Sequence, residues 1–397
     1  MVLMGVALLF LGVSPSNSFA GKKGPIKIGL LSPFSPPGDA GAGKRMKWGA
    51  ELAIKYINEE MGGVICGRPV QLVVGDDAGT PAEGMAAFRK LVQKDHVVAV
   101  VGQYHSSVCI ALTKMATDLK VPLFSTGASS TKITESESPY IFSIMSLIPD
   151  RAKFWIGFAK HMGWKKIAVL SEDTDYGTGL KTWVEKFGKE AGMKVKGVIF
   201  PRTLTDLTPM LLKVKSWKPD LLINVGVPPA AYLMVKQSYD IGLFPKVPML
   251  ASFAWPIRPE FWDAAGKKGV GILYNAYYKP GMLTTRLGNW MIPKYKALHK
   301  EGPTFFALNA FGEILVVAQA IDMAQSDNPQ KIAEALVDWP YLNWSGIVSF
   351  KEQKGYRWHN VSAPNLILQE TAERQSFDNA KLVWPPEFGG DGKIVKP

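Results

Sequence analysis

Cysteine and histidine are scarce: Cys66 and Cys109 are the only cysteines in 397 residues, and five histidines lie far apart. No zinc-ligand spacing results. The two thiols leave room for one disulfide or for two buried, inert side chains. Runs of like charge are also missing. The net charge is +12, but the lysines are spread along helical positions such as Lys44, Lys55, Lys90, Lys153, Lys160 and Lys186. A solvated surface follows, with no nucleic-acid partner. Beyond the N-terminus no stretch reads as a membrane span. No Gly-x-Ser-x-Gly elbow occurs.

Three near-motifs fail on inspection. Gly38–Arg45 (GDAGAGKR) follows a strand and opens a helix, as a phosphate loop does. Arg45 stands where a magnesium-binding Ser or Thr is needed, and the glycine register does not fit a dinucleotide. Ser129-Ser130-Thr131-Lys132 and Ser326-Asp327-Asn328 match two β-lactamase elements, but Lys-Thr-Gly is absent. A hydrolase using Ser129 and Lys132 is therefore a remote rival. No cofactor and no metal are expected.

What is present begins with an apolar run, Val2–Val13, broken by Ser14-Pro15 and followed by Ser18-Phe19-Ala20. Residues 1–20 read as a signal peptide cleaved near Ala20-Gly21, so export to the periplasm is expected. From Ile26 the pattern alternates strand and helix through about residue 146, and again from Pro149 to about Pro259. Alternation of this kind predicts doubly wound parallel sheets. The remaining helices and short strands must complete these two halves, which requires several crossings. The expected lobes are 26–146 plus 276–346 and 147–275 plus 347–397, joined as a hinged clamp.

The stretch that organises the first half is Val98–Ile133. An apolar strand ends at Gly102, and Gln103-Tyr104-His105-Ser106-Ser107 opens a helix. A second strand, Val121–Phe124, ends in Ser125–Thr131. Both loops lie at carboxyl ends of parallel strands, where ligands bind. Hydroxyls and free N–H groups there suit a small anion; helix caps and turns explain the same residues equally well. Tyr176 is expected to face the cleft, and Phe253 and Trp255 are aromatic candidates at a strand end. Glu172, Asp173 and Asp175 read as a helix-capping acidic cluster or as partners for an ammonium group.

These pieces together resemble the leucine/isoleucine/valine-binding protein family, the type I solute receptors of ABC importers. The likeness rests on Ile26–Gly29, Gly49–Ala53 through Asn58, Gly62–Val64, Asp76-Asp77, Val101-Gly102 with Ser106-Ser107, Pro122–Ser130 and Asp175-Tyr176-Gly177. It implies a periplasmic-binding-protein type I fold, α/β, with two Rossmann-like lobes on a multi-crossing hinge. It implies no catalysis, a monomer, and delivery of a small carboxylate-bearing solute, by family precedent an amino acid, to membrane permease subunits. A ligand-sensing role and an aromatic, organic-acid or amide ligand are the alternatives.

By position the carboxylate would be held by Ser106, Gly127, Ala128 and Ser129, with Tyr104 beside them and Tyr176 across the cleft. Phe253 stands where the family places an acid on the ammonium. A buried ammonium without a carboxylate is costly. Either Glu172, Asp173 or Asp175 replaces that acid, or the ligand lacks an α-ammonium. The family's cysteine after Asp-Asp is here Gly79, with His105 at its partner's place, so Cys66 and Cys109 are not that disulfide.

Overall fold

The computed structural model describes residues 24–65, 67–351 and 353–396. The expected leader and Cys66 lie outside them; Cys109 is a buried free thiol.

The first half winds as β1 (Ile26–Ser32), α1 (Ala40–Lys55), β2 (Val70–Asp76), α2 (Pro81–Arg89), β3 (Val100–Val101), α3 (Ser106–Leu119), β4 (Leu123–Ser125), the one-turn α4 (Thr131–Thr134) and β5 (Ile141–Ser143). All five strands are parallel, in the order β2-β1-β3-β4-β5. Helix α1 begins earlier than Lys44 because Asp39 caps it, its Oδ1 accepting the Ala42 N–H at 3.0 Å. The glycines of the apparent phosphate loop serve close packing: a Cβ at Gly43 would stand 1.9 Å from the Pro33 carbonyl oxygen.

The second half runs α5 (Ile148–His161), β6 (Lys166–Glu172), α6 (Asp175–Glu190), β7 (Lys194–Phe200), α7 (Thr208–Trp217), β8 (Leu221–Val225), α8 (Ala230–Asp240), β9 (Met249–Ala251), α9 (Pro259–Ala265) and β10 (Leu273–Ala276). The chain then returns to the first lobe with α10 (Arg286–His299), α11 (Phe305–Ala324), α12 (Pro329–Asp338) and the hairpin of β11 (Tyr341–Leu342) with β12 (Ile347–Val348). It ends in β13 (Leu366–Gln369) and β14 (Lys381–Trp384), which extend the second sheet antiparallel, giving β14-β13-β10-β9-β8-β6-β7.

The last return comes later than residue 347. Phe350 packs on Phe124 and Phe142, His359 stacks on Phe142, and Asn360 bridges Ser143. These contacts hold residues 347–360 against the first sheet, so the crossing falls at 361–365.

Helix α11 corrects the reading that no internal stretch has the length of a membrane span. At 20 residues and mean hydropathy 1.5 it has that length, but 89% of its apolar window is buried inside the protein. It lies against α1, where a Cβ at Gly49 would meet the Ala307 carbonyl oxygen at 2.0 Å. Two polar residues one turn apart on α11 grip the end of β4. Asn309 Nδ2 donates to the Thr126 carbonyl (3.3 Å) and to the Ile144 carbonyl (2.6 Å). Glu313 accepts the Thr126 hydroxyl, whose oxygen in turn accepts the Gly102 N–H at 2.8 Å.

Glu313 is fully buried, and its Oε1 has no partner among the described residues. Burial, only partly opposed by the bond from Thr126, pushes its carboxyl from 4.5 up to about 8. The folded chain thus holds a proton that the unfolded chain releases. Stability falls as pH rises from about 4.5 to about 8 and levels off above. Thermal melts should show Glu313→Gln matching the parent near pH 5 and exceeding it by several degrees near about pH 8. In both proteins Glu370, raised by burial to about 7, adds a slope of the same sign, and His105 and His359, held low by burial, add one of the opposite sign below about 6.5.

Candidate functional site

The facing strand ends build a cleft whose first wall is the pair of loops after β3 and β4. Gly102 is required by its φ of +100° and because a Cβ there would lie 2.5 Å from Leu30. The Gln103 carbonyl then accepts both the Gly127 N–H (2.8 Å) and the Ala128 N–H (3.2 Å). The Ser129 N–H goes to Ser106 Oγ at 3.3 Å. This revises the expected anion site: the amides of Gly127 and Ala128 lock the two loops together and are not free for a carboxylate. Ser129 Oγ remains, buried and without a partner among the described residues.

An aromatic cage closes over these loops. Tyr104 meets Phe306 edge-on at 5.1 Å, and both lie against Gly127, which has no side chain to hold them off. From the second lobe Phe253 reaches Phe306 (5.3 Å) and Tyr104 (6.3 Å) and stacks on Tyr176 (5.1 Å, 14°). Tyr176, in the first turn of α6, therefore faces the cleft as expected. Trp255 does not join this cage: its ring neighbours are Tyr232 (5.5 Å) and Phe261 (5.3 Å), both of the second lobe.

Arg151 is the residue that sequence reading missed. It lies in the first turn of α5, where it reads as one more basic residue at the start of a helix. The fold buries it completely. Its guanidinium lies 4.5 Å over the Phe253 ring, 5.7 Å from Tyr176 and 5.6 Å from Tyr277. Nη1 donates to the Tyr176 hydroxyl and Nη2 to the Ser146 carbonyl, each at 3.2 Å. Nε and the Tyr277 hydroxyl have no partner, and no carboxylate pairs with Arg151 among the described residues. The Ile148 N–H, one turn before Arg151, donates to the Ser129 carbonyl at 2.9 Å, so the arginine and the serine loop share one corner.

The acids proposed as substitutes for an ammonium partner are all engaged elsewhere. Glu172 accepts from Thr174 (2.8 Å) and the Val227 N–H (3.1 Å), Asp173 from the Arg202 N–H (2.9 Å), and Asp175 from Lys132 (2.9 Å). Lys132 thus bridges the lobes and is not aimed at Ser129, as a Ser/Lys hydrolase requires.

The lobes are drawn together around this cage. Arg258 meets Asp39 at 2.9 Å, and Arg45 and Lys44 meet Glu260. Asp175 N–H donates to Ser107, and Arg202 donates to the carbonyls of Pro37 and Gly79. His105 Nε2 accepts from the Asp39 N–H and lies 3.1 Å from Arg202, so the ring is neutral; burial first, then Arg202, holds its pKa well below the usual value. A Cβ at Gly79 would stand 2.8 Å from this imidazole, so positions 79 and 105 are neighbours. A cavity of about 240 Å³ opens beside them, between His105, Ser106, Asp173, Tyr176 and Arg202.

The family model described as periplasmic binding protein matches residues 25–363. The chain belongs to this family. The leucine-, isoleucine-, valine-, threonine- and alanine-binding protein of Pseudomonas aeruginosa is 29% identical, over 84% of this chain and 90% of its own. The crystal structure of LivJ of Streptococcus pneumoniae with isoleucine superposes with TM-score 0.78 at 23% identity, covering 91% of this chain and all of that one. A solute-binding protein of R. palustris with benzoate superposes with TM-score 0.76 at 20% identity, covering 88% and 94%. The protein is thus a solute-binding protein of the periplasmic-binding-protein family, with the type I two-lobed fold.

In this binding protein Ser129→Ala should weaken solute binding by about 0.5–3 kcal/mol, and Ser106→Ala similarly through loss of the bond between the loops. Isothermal titration with a bound solute reads both; unchanged affinity in the two variants would remove the serine face from the site.

Proposed function

We propose that this binding protein captures an aromatic carboxylate between its lobes and passes it to the permease subunits of an importer. One observation carries the reading: Arg151 is a buried cation set among Phe253, Tyr176 and Tyr277, with no carboxylate of its own among the described residues. A desolvated guanidinium is stable when a carboxylate satisfies it, and its planar fork matches one. Ser129 Oγ and the Tyr277 hydroxyl supply further donors, and the Tyr104, Phe253 and Phe306 rings supply apolar faces.

An α-amino acid fits less well. Its carboxylate suits Arg151, but its ammonium finds Phe253 at the expected acid, Glu172 and Asp173 engaged by other donors and Asp175 paired with Lys132. The fold does not favour either ligand, since neighbours bound to isoleucine and to benzoate superpose almost equally.

Thermal shift against benzoate, 4-hydroxybenzoate, leucine and phenylalanine tests this, because a ligand that binds the folded state raises its apparent stability. The benzoates should raise Tm and leucine should not. Arg151→Met should weaken benzoate binding by about 1.5–3 kcal/mol, roughly ten- to a hundredfold. Stabilisation by leucine with none by the aromatic acids overturns the proposal.

A further inference from the structure

The buried ion pair between Asp39 and Arg258 joins the two lobes beside the cage. Asp39 belongs to the first lobe and is 3% exposed; its Oδ1 caps α1 and its Oδ2 accepts the Tyr104 hydroxyl at 3.0 Å. Arg258 belongs to the second lobe, follows β9 and is 2% exposed. Its Nη1 stands 2.9 Å from both oxygens of Asp39. Tyr104 is itself a wall of the cage, so Asp39 is a carboxylate one hydroxyl away from the ligand space.

We propose that Arg258 acts as a charge check on closure: by taking Asp39 when the lobes meet, it excludes ligands that carry an ammonium group. The inference rests on the aromatic-carboxylate reading and names the residue that sets its selectivity. In the separated lobes Asp39 and Tyr104 together form an acceptor pair that an ammonium can use. Closure brings a guanidinium to the same two oxygens. An ammonium already there meets a like charge at contact distance in a buried site, and closure fails. A ligand without an ammonium leaves Asp39 free, and closure gains the ion pair.

Among the described residues the surrounding charges leave Arg258 no other acid. Glu260, two residues on, is held by Arg45 at 2.9 Å and Lys44 at 3.2 Å, and Glu301 by Arg45 at 2.6 Å. Burial would depress the Arg258 guanidinium, but Asp39 more than reverses this, so it stays charged.

Phenylacetate and phenylglycine form a matched probe pair that differs by the ammonium alone. In calorimetry the parent protein should bind phenylacetate at least tenfold more tightly. Arg258→Gln should narrow that ratio at least tenfold by gaining phenylglycine, and the double variant Asp39→Asn/Arg258→Gln should restore it. An Arg258→Gln protein that loses affinity for both probes equally shows a plain latch and overturns the charge check, leaving the carboxylate reading intact. A parent that prefers phenylglycine, or binds neither probe, overturns that reading and the inference with it. Small-angle scattering of the parent gives an independent readout that needs no variant. Saturating phenylacetate should compact the particle and phenylglycine should not; compaction by phenylglycine overturns the check.

Discussion

The cleft depends on how α11 returns to the first lobe. Its contact with α1 requires Gly49, because any side chain there would strike the Ala307 backbone. With the helices this close, Asn309 reaches the carbonyls of Thr126 and Ile144 together. One side chain thereby ties the loop that carries Ser129 to the crossing that leads to Arg151. A chain segment far along in sequence sets the geometry of a site whose loops lie near its beginning. Packing density makes this possible, since interiors do not yield by more than a fraction of an ångström without cost.

Two buried arginines then divide the electrostatics of the cleft. Arg258 is matched by Asp39 across the lobes, whereas Arg151 has aromatic faces, a hydroxyl and a carbonyl but no acid among the described residues. On the proposed reading this difference decides what can enter a desolvated site. A paired charge adds to closure, and an unpaired one asks for a partner. The hydrogen bonds from Arg202 and the Lys132–Asp175 pair lie nearer the surface, where they contribute little to affinity and mainly align the rims.

Much of this was readable from residues alone, but unevenly. The alternation from Ile26 to Pro259 gave both wound sheets, because buried parallel strands need apolar runs and their helices need caps. The serine loops were correctly placed at strand ends. Their donor roles were not, since only the folded chain shows the Gln103 carbonyl consuming the amides of Gly127 and Ala128. Trp255 and Phe253 look alike in sequence, yet one meets Tyr232 and Phe261 and the other the cage. Arg151 left no local signal beyond its place just after Pro149, where the chain starts its second half.

The sequence by itself determined the fold class and the two strand-end loops, because these follow from local periodicity and turn chemistry, and its motifs carried the resemblance to the family. Tertiary structure alone decided which polar groups are left over. Whether a buried donor or charge is satisfied depends on partners distant in the chain, as with Asp39 and Arg258, 219 residues apart, or Thr126 and Glu313, 187 apart. A ligand is chosen by that remainder, which no local pattern records.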